Sequence, residues 1–79
     1  MRAHVEFTVE PFVDGTPGPH VTAAVEAVRR SGLEPDMGPF GTTVEGERDQ
    51  VLAAITAALS AAADSGADRV SMQLTFDHD

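Results

Sequence analysis

The residues of this chain that could do chemistry are carboxylates placed next to a glycine-rich corner. The corner is Gly38-Pro39-Phe40-Gly41-Thr42, and Glu45 follows it closely in a segment typical of a strand. Because glycine has no Cβ, a ligand or another backbone can approach it closely. A nearby carboxylate can accept hydrogen bonds from an amino group and offset a positive charge. We interpret this segment as the edge of a binding site or as a contact between subunits.

Other kinds of chemistry find little support in the sequence. The histidines His4, His20 and His78 lack the spacing of metal ligands, and the chain has no cysteine. The serines have no histidine placed to activate them, and the phosphate-loop and dinucleotide patterns are missing. The segment Asp77-His78-Asp79 is more typical of a frayed acidic terminus than of a metal site. We therefore expect no catalytic residue, no metal and no cofactor, and the sequence does not support hydrolysis.

Hydrophobic periodicity predicts the elements that must position these residues. Apolar residues alternate with polar ones near both ends of the chain, and two longer segments carry apolar residues at helical spacing. The expected elements are a strand Ala3–Glu10, a loop Phe12–Pro19, a helix His20–Ser31, a strand Leu33–Met37, a strand Thr42–Glu47, a helix Arg48–Ser65 and a strand Asp68–Phe76. Pro35 indicates that the second strand lies at a sheet edge.

This order predicts an α+β fold. Two strand–helix–strand halves with right-handed crossovers give a βαββαβ, ferredoxin-like sandwich, with a four-stranded antiparallel sheet and both helices on one face. The expected strand order is fourth, first, third, second. We expect a single domain spanning residues 1–79.

The sheet face without helices is then available for binding or for a partner. The residues expected to face the helices are Val5, Phe7, Val9, Val70, Met72, Leu74 and Phe76. The other face would carry outward polar residues of the first and last strands, namely Glu6, Thr8, Glu10, Ser71, Gln73 and Thr75. The third strand would add either Thr43 and Glu45 or Thr42 and Val44. Carboxylates on adjacent central strands could hold a cationic or amino-bearing ligand. The alternative is a solvated face with scattered charges.

The amino-acid composition limits the kinds of partner that the chain can bind. The chain of 79 residues carries a net charge of −8, with thirteen acids against five bases. Such a surface repels phosphate backbones and anionic lipid, so we expect no nucleic-acid partner. No apolar run is long enough to span a membrane, and the N-terminus lacks the apolar core of a signal peptide, so we expect a cytoplasmic protein. A small domain without disulfides also favours a homo-oligomer.

The chain resembles the small thiamine-binding protein family along nearly its whole length. The residues that carry the resemblance are Glu6, Pro11, Ser31-Gly32-Leu33, Gly38-Pro39-Phe40-Gly41-Thr42, Glu45-Gly46-Glu47, Val51, Ile55, Asp68-Arg69-Val70 and Asp77. The resemblance implies a ferredoxin-like fold that assembles as dimers or tetramers through its sheets. It also implies binding of thiamine or its hydroxymethylpyrimidine part in the cytoplasm, without catalysis.

On this resemblance, carboxylates and the glycine corner would contact the ligand. The candidate ligand-binding residues are Glu45, Glu6, Thr42, Phe40, Gly38 and Thr8. The acids would accept the amino hydrogens and offset the thiazolium charge, and Phe40 would cover a ring face. Phe40 could instead anchor a dimer, and Thr42 could simply suit a strand. The alternative function is a structural or regulatory homo-oligomeric module without a small-molecule ligand.

Overall fold

The expected six elements are present in the expected order. The computed structural model describes residues 1–11 and 17–78. The elements are β1 (Arg2–Glu10), α1 (Pro19–Arg30), β2 (Asp36–Gly38), β3 (Gly41–Glu47), α2 (Arg48–Asp64) and β4 (Arg69–Asp77). Most of the expected loop Phe12–Pro19 lies outside the described residues.

The second strand is shorter than expected and begins later. We expected Leu33–Met37, whereas β2 covers Asp36–Gly38. Its pairing explains the difference, because Gly38 lies opposite Gly41 and Asp36 lies opposite Thr43. The strand therefore extends into the glycine corner instead of stopping before it.

The sheet has the order β2-β3-β1-β4, and each neighbouring pair is antiparallel. This is the predicted order, with β1 and β3 at the centre. Side chains of β1 and β3 share one hydrophobic core with side chains of α1 and α2, so both helices cover the same face. The α+β, ferredoxin-like arrangement is confirmed.

The strand register settles which side chains face the helices. Val5 lies opposite Val44 on one side and opposite Leu74 on the other. Because side chains on paired residues share a face, Thr42, Val44 and Gly46 lie on the helix side. Thr43 and Glu45 lie on the other side, which resolves the two registers that the sequence left open.

Coverage by the helices differs between the strands. The apolar residues of β1 are all buried, as Val5 and Phe7 illustrate. Val70, Met72, Leu74 and Phe76 of β4 lie on the helix side as predicted, but all of them are partly exposed. The helices thus cover the sheet centre and leave β4 as a thinly covered edge. Among the described residues, no helix is long and apolar enough to cross a membrane.

Candidate functional site

The candidate site lies on the sheet face without helices, which we call the open face. Along β1 the outward side chains include Glu6, Thr8 and Glu10, and each of them has an outward neighbour on β4. The outward residues of β3 and β4 are Thr43, Glu45, Ser71, Gln73 and Thr75. Alternation in these strands directs the polar residues to this side, because their apolar partners fill the core. The open face is therefore polar and rich in carboxylates.

A first depression on the open face lies between β1 and β4. It has a volume of about 270 Å³, and Glu6, Thr8, Ser71 and Gln73 contribute its polar lining. Gln73 lies directly opposite Glu6 in the β1–β4 pairing. A carboxylate beside a side-chain amide offers several acceptors and two N–H donors. This combination can bind a planar group that carries both an amino substituent and ring nitrogens.

A second depression lies beneath the glycine corner. It has a volume of about 340 Å³ and is lined by Thr8, Glu10, Pro39 and Phe40. Thr8 lines both depressions, so they adjoin each other. The Phe40 side chain is 90% exposed. An aromatic ring held in water beside a cleft is available to stack on a ligand or to insert into a partner.

Gly41 is the residue that allows the corner to approach β1. It has φ +155°, and a Cβ there would lie 3.0 Å from the carbonyl oxygen of Phe7 and 3.2 Å from Cγ2 of Thr8. A larger residue would push the corner away from β1. The glycine therefore positions the Pro39-Phe40 turn next to Thr8.

Glu45 lies in a third depression, at the other end of β3. This depression has a volume of about 220 Å³ and is lined by His4, Glu34, Asp36, Thr43, Val44 and Glu45. Glu45 lies opposite His4, whereas Glu6 lies opposite Thr43. The two carboxylates are therefore diagonal neighbours on adjacent central strands, with a separation of about 7–8 Å expected between such positions. Glu6 lines the first depression, and Glu45 lines the third.

Glu10 is held by an arginine on the neighbouring strand. Arg69 donates from Nε to Oε2 at 3.0 Å and from Nη2 to Oε1 at 2.7 Å, and the Ser71 hydroxyl donates to Oε2 at 3.0 Å. The hydrogen bonds from Arg69, and then that from Ser71, lower the pKa of Glu10 below its ordinary value. Arg69 thus joins β4 to β1 through its ion pair with Glu10.

The remaining acids on this face are less constrained. Within residues 1–11 and 17–78, neither Glu6 nor Glu45 forms an ion pair with an arginine. The negative charge of Glu10 is offset locally by Arg69, while the charges of Glu6 and Glu45 are not offset by an arginine in this part of the chain. A cation approaching the open face is therefore attracted mainly toward Glu6 and Glu45.

The structure places the six expected site residues in different surroundings. Glu6, Thr8 and Phe40 line the two adjoining depressions, and Gly38 lies in the corner above them. Glu45 lines the third depression. The Thr42 side chain faces the helices and is only 6% exposed, so Thr42 can reach a ligand on the open face only through its backbone.

Sequence reasoning left Ser71, Gln73 and Glu10 out of the candidate site. The alternation of the last strand already placed Ser71 and Gln73 on the open face. Their positions next to Glu6 follow only from the β1–β4 register, which a single sequence does not give. The role of Glu10 depends in the same way on its pairing with Arg69 across these strands.

His20 makes a structural contact and lies outside the candidate site. It is buried, and its Nε2 lies 2.7 Å from the carbonyl oxygen of Pro11, so this nitrogen carries the proton that it donates. The contact joins the start of α1 to the end of β1. Among the described residues, no group of three or more His, Asp or Glu side chains could hold a metal ion.

The fold and the open face define a small ferredoxin-like sandwich with a candidate small-molecule site on its uncovered sheet. The sequence matches the thiamine-binding protein family over residues 5–79, and the chain belongs to this family.

Relatives and solved structures agree with this assignment. The UPF0045 protein sll0230 of Synechocystis sp. is 32% identical over 77 residues, which cover 96% of this chain and 64% of that protein. The chain thus spans just under two thirds of the length of this relative. A domain-of-unknown-function (DUF77) structure from Bacillus cereus superposes with a TM-score of 0.72 at 30% identity, covering 96% of this chain and 76% of the other.

A further solved structure is similar to this chain over its whole length. It is a candidate thiamine biosynthesis/salvage protein (TM0486) from Thermotoga maritima. It superposes with a TM-score of 0.69 at 28% identity, and the match covers 100% of this chain and 85% of that protein.

Proposed function

We propose that this protein binds thiamine, or its hydroxymethylpyrimidine part, on the open face and does not catalyse a reaction. The observation that carries the proposal is the pair of adjoining depressions that meet at Thr8, with Glu6 at one end and Phe40 at the other. Membership of the thiamine-binding protein family supports the ligand class. The cytoplasmic location expected from the sequence stays part of the proposal.

The chemistry of the ligand matches that of the open face. Thiamine joins an aminopyrimidine to a cationic thiazolium. In the proposed arrangement Glu6 accepts a hydrogen bond from the amino group, and Phe40 stacks on a ring. Backbone groups at Gly38 and Thr42, together with the Thr8 hydroxyl, complete the polar contacts. Glu45 supplies a second negative charge that attracts the thiazolium.

We further propose that sister copies complete the site. The two adjoining depressions have volumes of about 270 and 340 Å³, and both are open to solvent. These volumes lie just below and just above the lower limit of about 300 Å³ for ligand pockets. An open face stacked on that of a second copy encloses the ligand and removes Phe40 from water. It also allows Glu45 of one copy to approach the depression that Glu6 lines in the other.

Calorimetry with matched variants tests the proposal. Thiamine and hydroxymethylpyrimidine are titrated into the wild type and into the variants Glu6→Gln and Glu45→Gln. We expect wild-type binding and a loss of about 10- to 100-fold in affinity for each variant. This loss corresponds to a charged hydrogen bond of about 1.5–3 kcal/mol.

An acid on the opposite side of the molecule serves as the control. Asp64 is an exposed residue at the end of α2, and Asp64→Asn removes the same charge from the helix side. This variant should bind as the wild type does. Absence of heat with thiamine, its phosphate esters and hydroxymethylpyrimidine alike would end the ligand assignment. Equal losses in all three variants would show a nonspecific effect of charge.

The exposure of Phe40 favours one alternative function. An aromatic residue that is 90% exposed at the tip of the corner is also suited to anchor a partner protein. In that case the protein is a structural or regulatory homo-oligomeric module. A stable oligomer that is indifferent to all three ligand classes, and that dissociates when Phe40 is changed to Ser, would support this alternative.

A further inference from the structure

Positive side chains are scarce around the two adjoining depressions. All five basic residues of the chain are arginines, and all five lie in the part of the chain that the structure describes. Arg29 and Arg30 end α1, and Arg48 begins α2. Arg2 is the first residue of β1, whereas the depressions lie along the second half of this strand. Arg69 is the arginine that forms hydrogen bonds with a residue lining one of them.

Glu10 occupies the edge of the Arg69 guanidinium that could otherwise bind an anion. Arg69 donates from Nε and from Nη2 to the two oxygens of this carboxylate. Arginine uses the same two-bond geometry to bind phosphate. These hydrogen bonds, and then the one from Ser71, lower the pKa of Glu10, so its carboxylate is ionised at neutral pH. Arg69 is therefore one half of a neutral pair.

Glu10 stands between Arg69 and the second depression. The carboxylate lines this depression together with Thr8, Pro39 and Phe40. Arg69 lies on the far side of Glu10 from the glycine corner, because β4 and β3 flank β1 on opposite sides. A ligand in the second depression therefore meets the carboxylate first and the guanidinium only beyond it.

The proposed function directs one end of thiamine toward this carboxylate. Glu10 is four positions beyond Glu6 on the same face, about 13 Å along the strand. With the aminopyrimidine at Glu6 and the thiazolium beside Phe40, the hydroxyethyl arm of the thiazolium points toward Glu10. This arm carries the oxygen that is esterified in the thiamine phosphates.

A hydroxyl and a phosphate on that arm would meet Glu10 very differently. A carboxylate has about four acceptor sites, and Arg69 and Ser71 use three of those of Glu10. The remaining site can accept a hydrogen bond from a free hydroxyl. A phosphate monoester instead brings a charge of about −1.5 to −2 against the carboxylate. It also finds the two-bond edge of Arg69 already occupied.

We propose that Glu10 is a specificity-determining residue, which makes the site select the free alcohol of thiamine over its phosphate esters. This inference rests on the proposed function. Glu10 repels the phosphate directly, and it also keeps Arg69 from binding one. Specificity of this kind comes from a repulsive element as much as from an attractive one. Without Glu10, Arg69 and Ser71 would present their donors to a phosphate.

Calorimetry with thiamine and thiamine monophosphate at one fixed salt concentration tests the inference. The wild type should bind thiamine about tenfold or more tightly than the monophosphate, the effect of one hydrogen bond to a charged group. Glu10→Gln and Glu10→Ala should both lose this preference, because they bind the monophosphate more tightly. Alanine cannot accept a hydrogen bond from Arg69, so the second variant frees the guanidinium completely.

Two controls separate the freed arginine from a general effect of charge. Glu10→Gln combined with Arg69→Gln should bind the monophosphate less tightly than Glu10→Gln alone. Asp64→Asn removes one negative charge from the end of α2 and should keep the wild-type preference.

The possible failures of this inference and of the proposed function can be told apart. Equal affinity of the wild type for thiamine and its monophosphate overturns the inference but leaves the proposed function intact. A preference for thiamine that survives in both Glu10 variants does the same, as does a gain in monophosphate binding by Asp64→Asn as large as that by Glu10→Gln. A wild type that binds neither compound overturns the proposed function, and the inference with it.

Discussion

Glu10 shows how one residue on the open face differs from its neighbours. Its carboxylate receives two hydrogen bonds from Arg69 and one from Ser71, so it is already satisfied within the chain. Glu6, two positions earlier on the same face, has no such arginine partner among the described residues. We infer that the two carboxylates have different roles. Glu10 joins β1 to β4, and Glu6 contacts the ligand.

The pH dependence of stability tests the role of Glu10. The pKa of Glu10 is lowered in the folded protein, first by its hydrogen bonds with Arg69. The ion pair therefore contributes stability above the ordinary glutamate pKa of about 4.3, and this contribution is lost as the pH falls through the lowered folded value. In urea unfolding, Glu10→Gln should be less stable than the wild type at pH 7, and the difference should shrink below pH 4.

A second variant separates the ion pair from a general effect of acid. When Arg69 is already changed to Gln, the further change Glu10→Gln should have little effect at either pH. Glu10 is exposed in part, so the whole effect should be small. A difference between wild type and Glu10→Gln that grows as the pH falls would contradict this role.

At the scale of the elements, the glycine corner between β2 and β3 determines where Phe40 lies. Gly41→Ala would place a Cβ 3.0 Å from the Phe7 carbonyl oxygen, and backbone cannot move aside easily. We expect a loss of about 1–3 kcal/mol in the free energy of unfolding, from this overpacking together with the positive φ of Gly41, which side chains other than glycine rarely adopt. Chemical denaturation measures it directly.

Gly38 provides a matched control in the same corner. A Cβ at Gly38 would meet its nearest neighbour, the Gly41 carbonyl oxygen, at 3.4 Å, an ordinary contact. Gly38→Ala should therefore change stability by no more than about 0.5 kcal/mol. If the two variants lose the same stability, the close approach of Gly41 to β1 is not what constrains the corner.

The strands also show how much of the fold could be predicted from the sequence. The alternation of Val5, Phe7 and Val9 predicted β1 and its buried side correctly. The register of β3 could not be predicted, because Thr42, Thr43 and Val44 are all β-branched and suit either face. Both bounds of β2 were wrong, because the strand begins at Asp36 and ends at Gly38. Gly38 suits both a turn and a short strand, so the sequence did not show that β2 continues to this residue.

The sequence predicted which side of the sheet a residue faces better than it predicted how deeply the residue is buried. Alternation correctly assigned Met72 and Phe76 to the helix side, yet both are more than a third exposed. A periodic pattern gives the side on which a residue lies, whereas coverage depends on where the helices cross the sheet. The pairing of Glu6 with Gln73, and of Glu10 with Arg69, likewise needed the register between strands that are distant in sequence.

At the scale of the whole molecule, the net charge of −8 affects how copies can meet. Stacked open faces bring Glu6 and Glu45 of two copies together, and like charges in a closed interface repel. A cationic ligand between the faces offsets this repulsion, so ligand binding and stacking should favour each other.

The most direct test is a crystal structure of the protein grown with thiamine. We expect ligand density between the open faces of two copies, with its amino group within about 2.6–3.2 Å of a Glu6 or Glu45 carboxylate and a ring stacked on Phe40. Density on the helix side, or a protein that stays free of ligand at saturating thiamine with its open face bare, would contradict the proposed site.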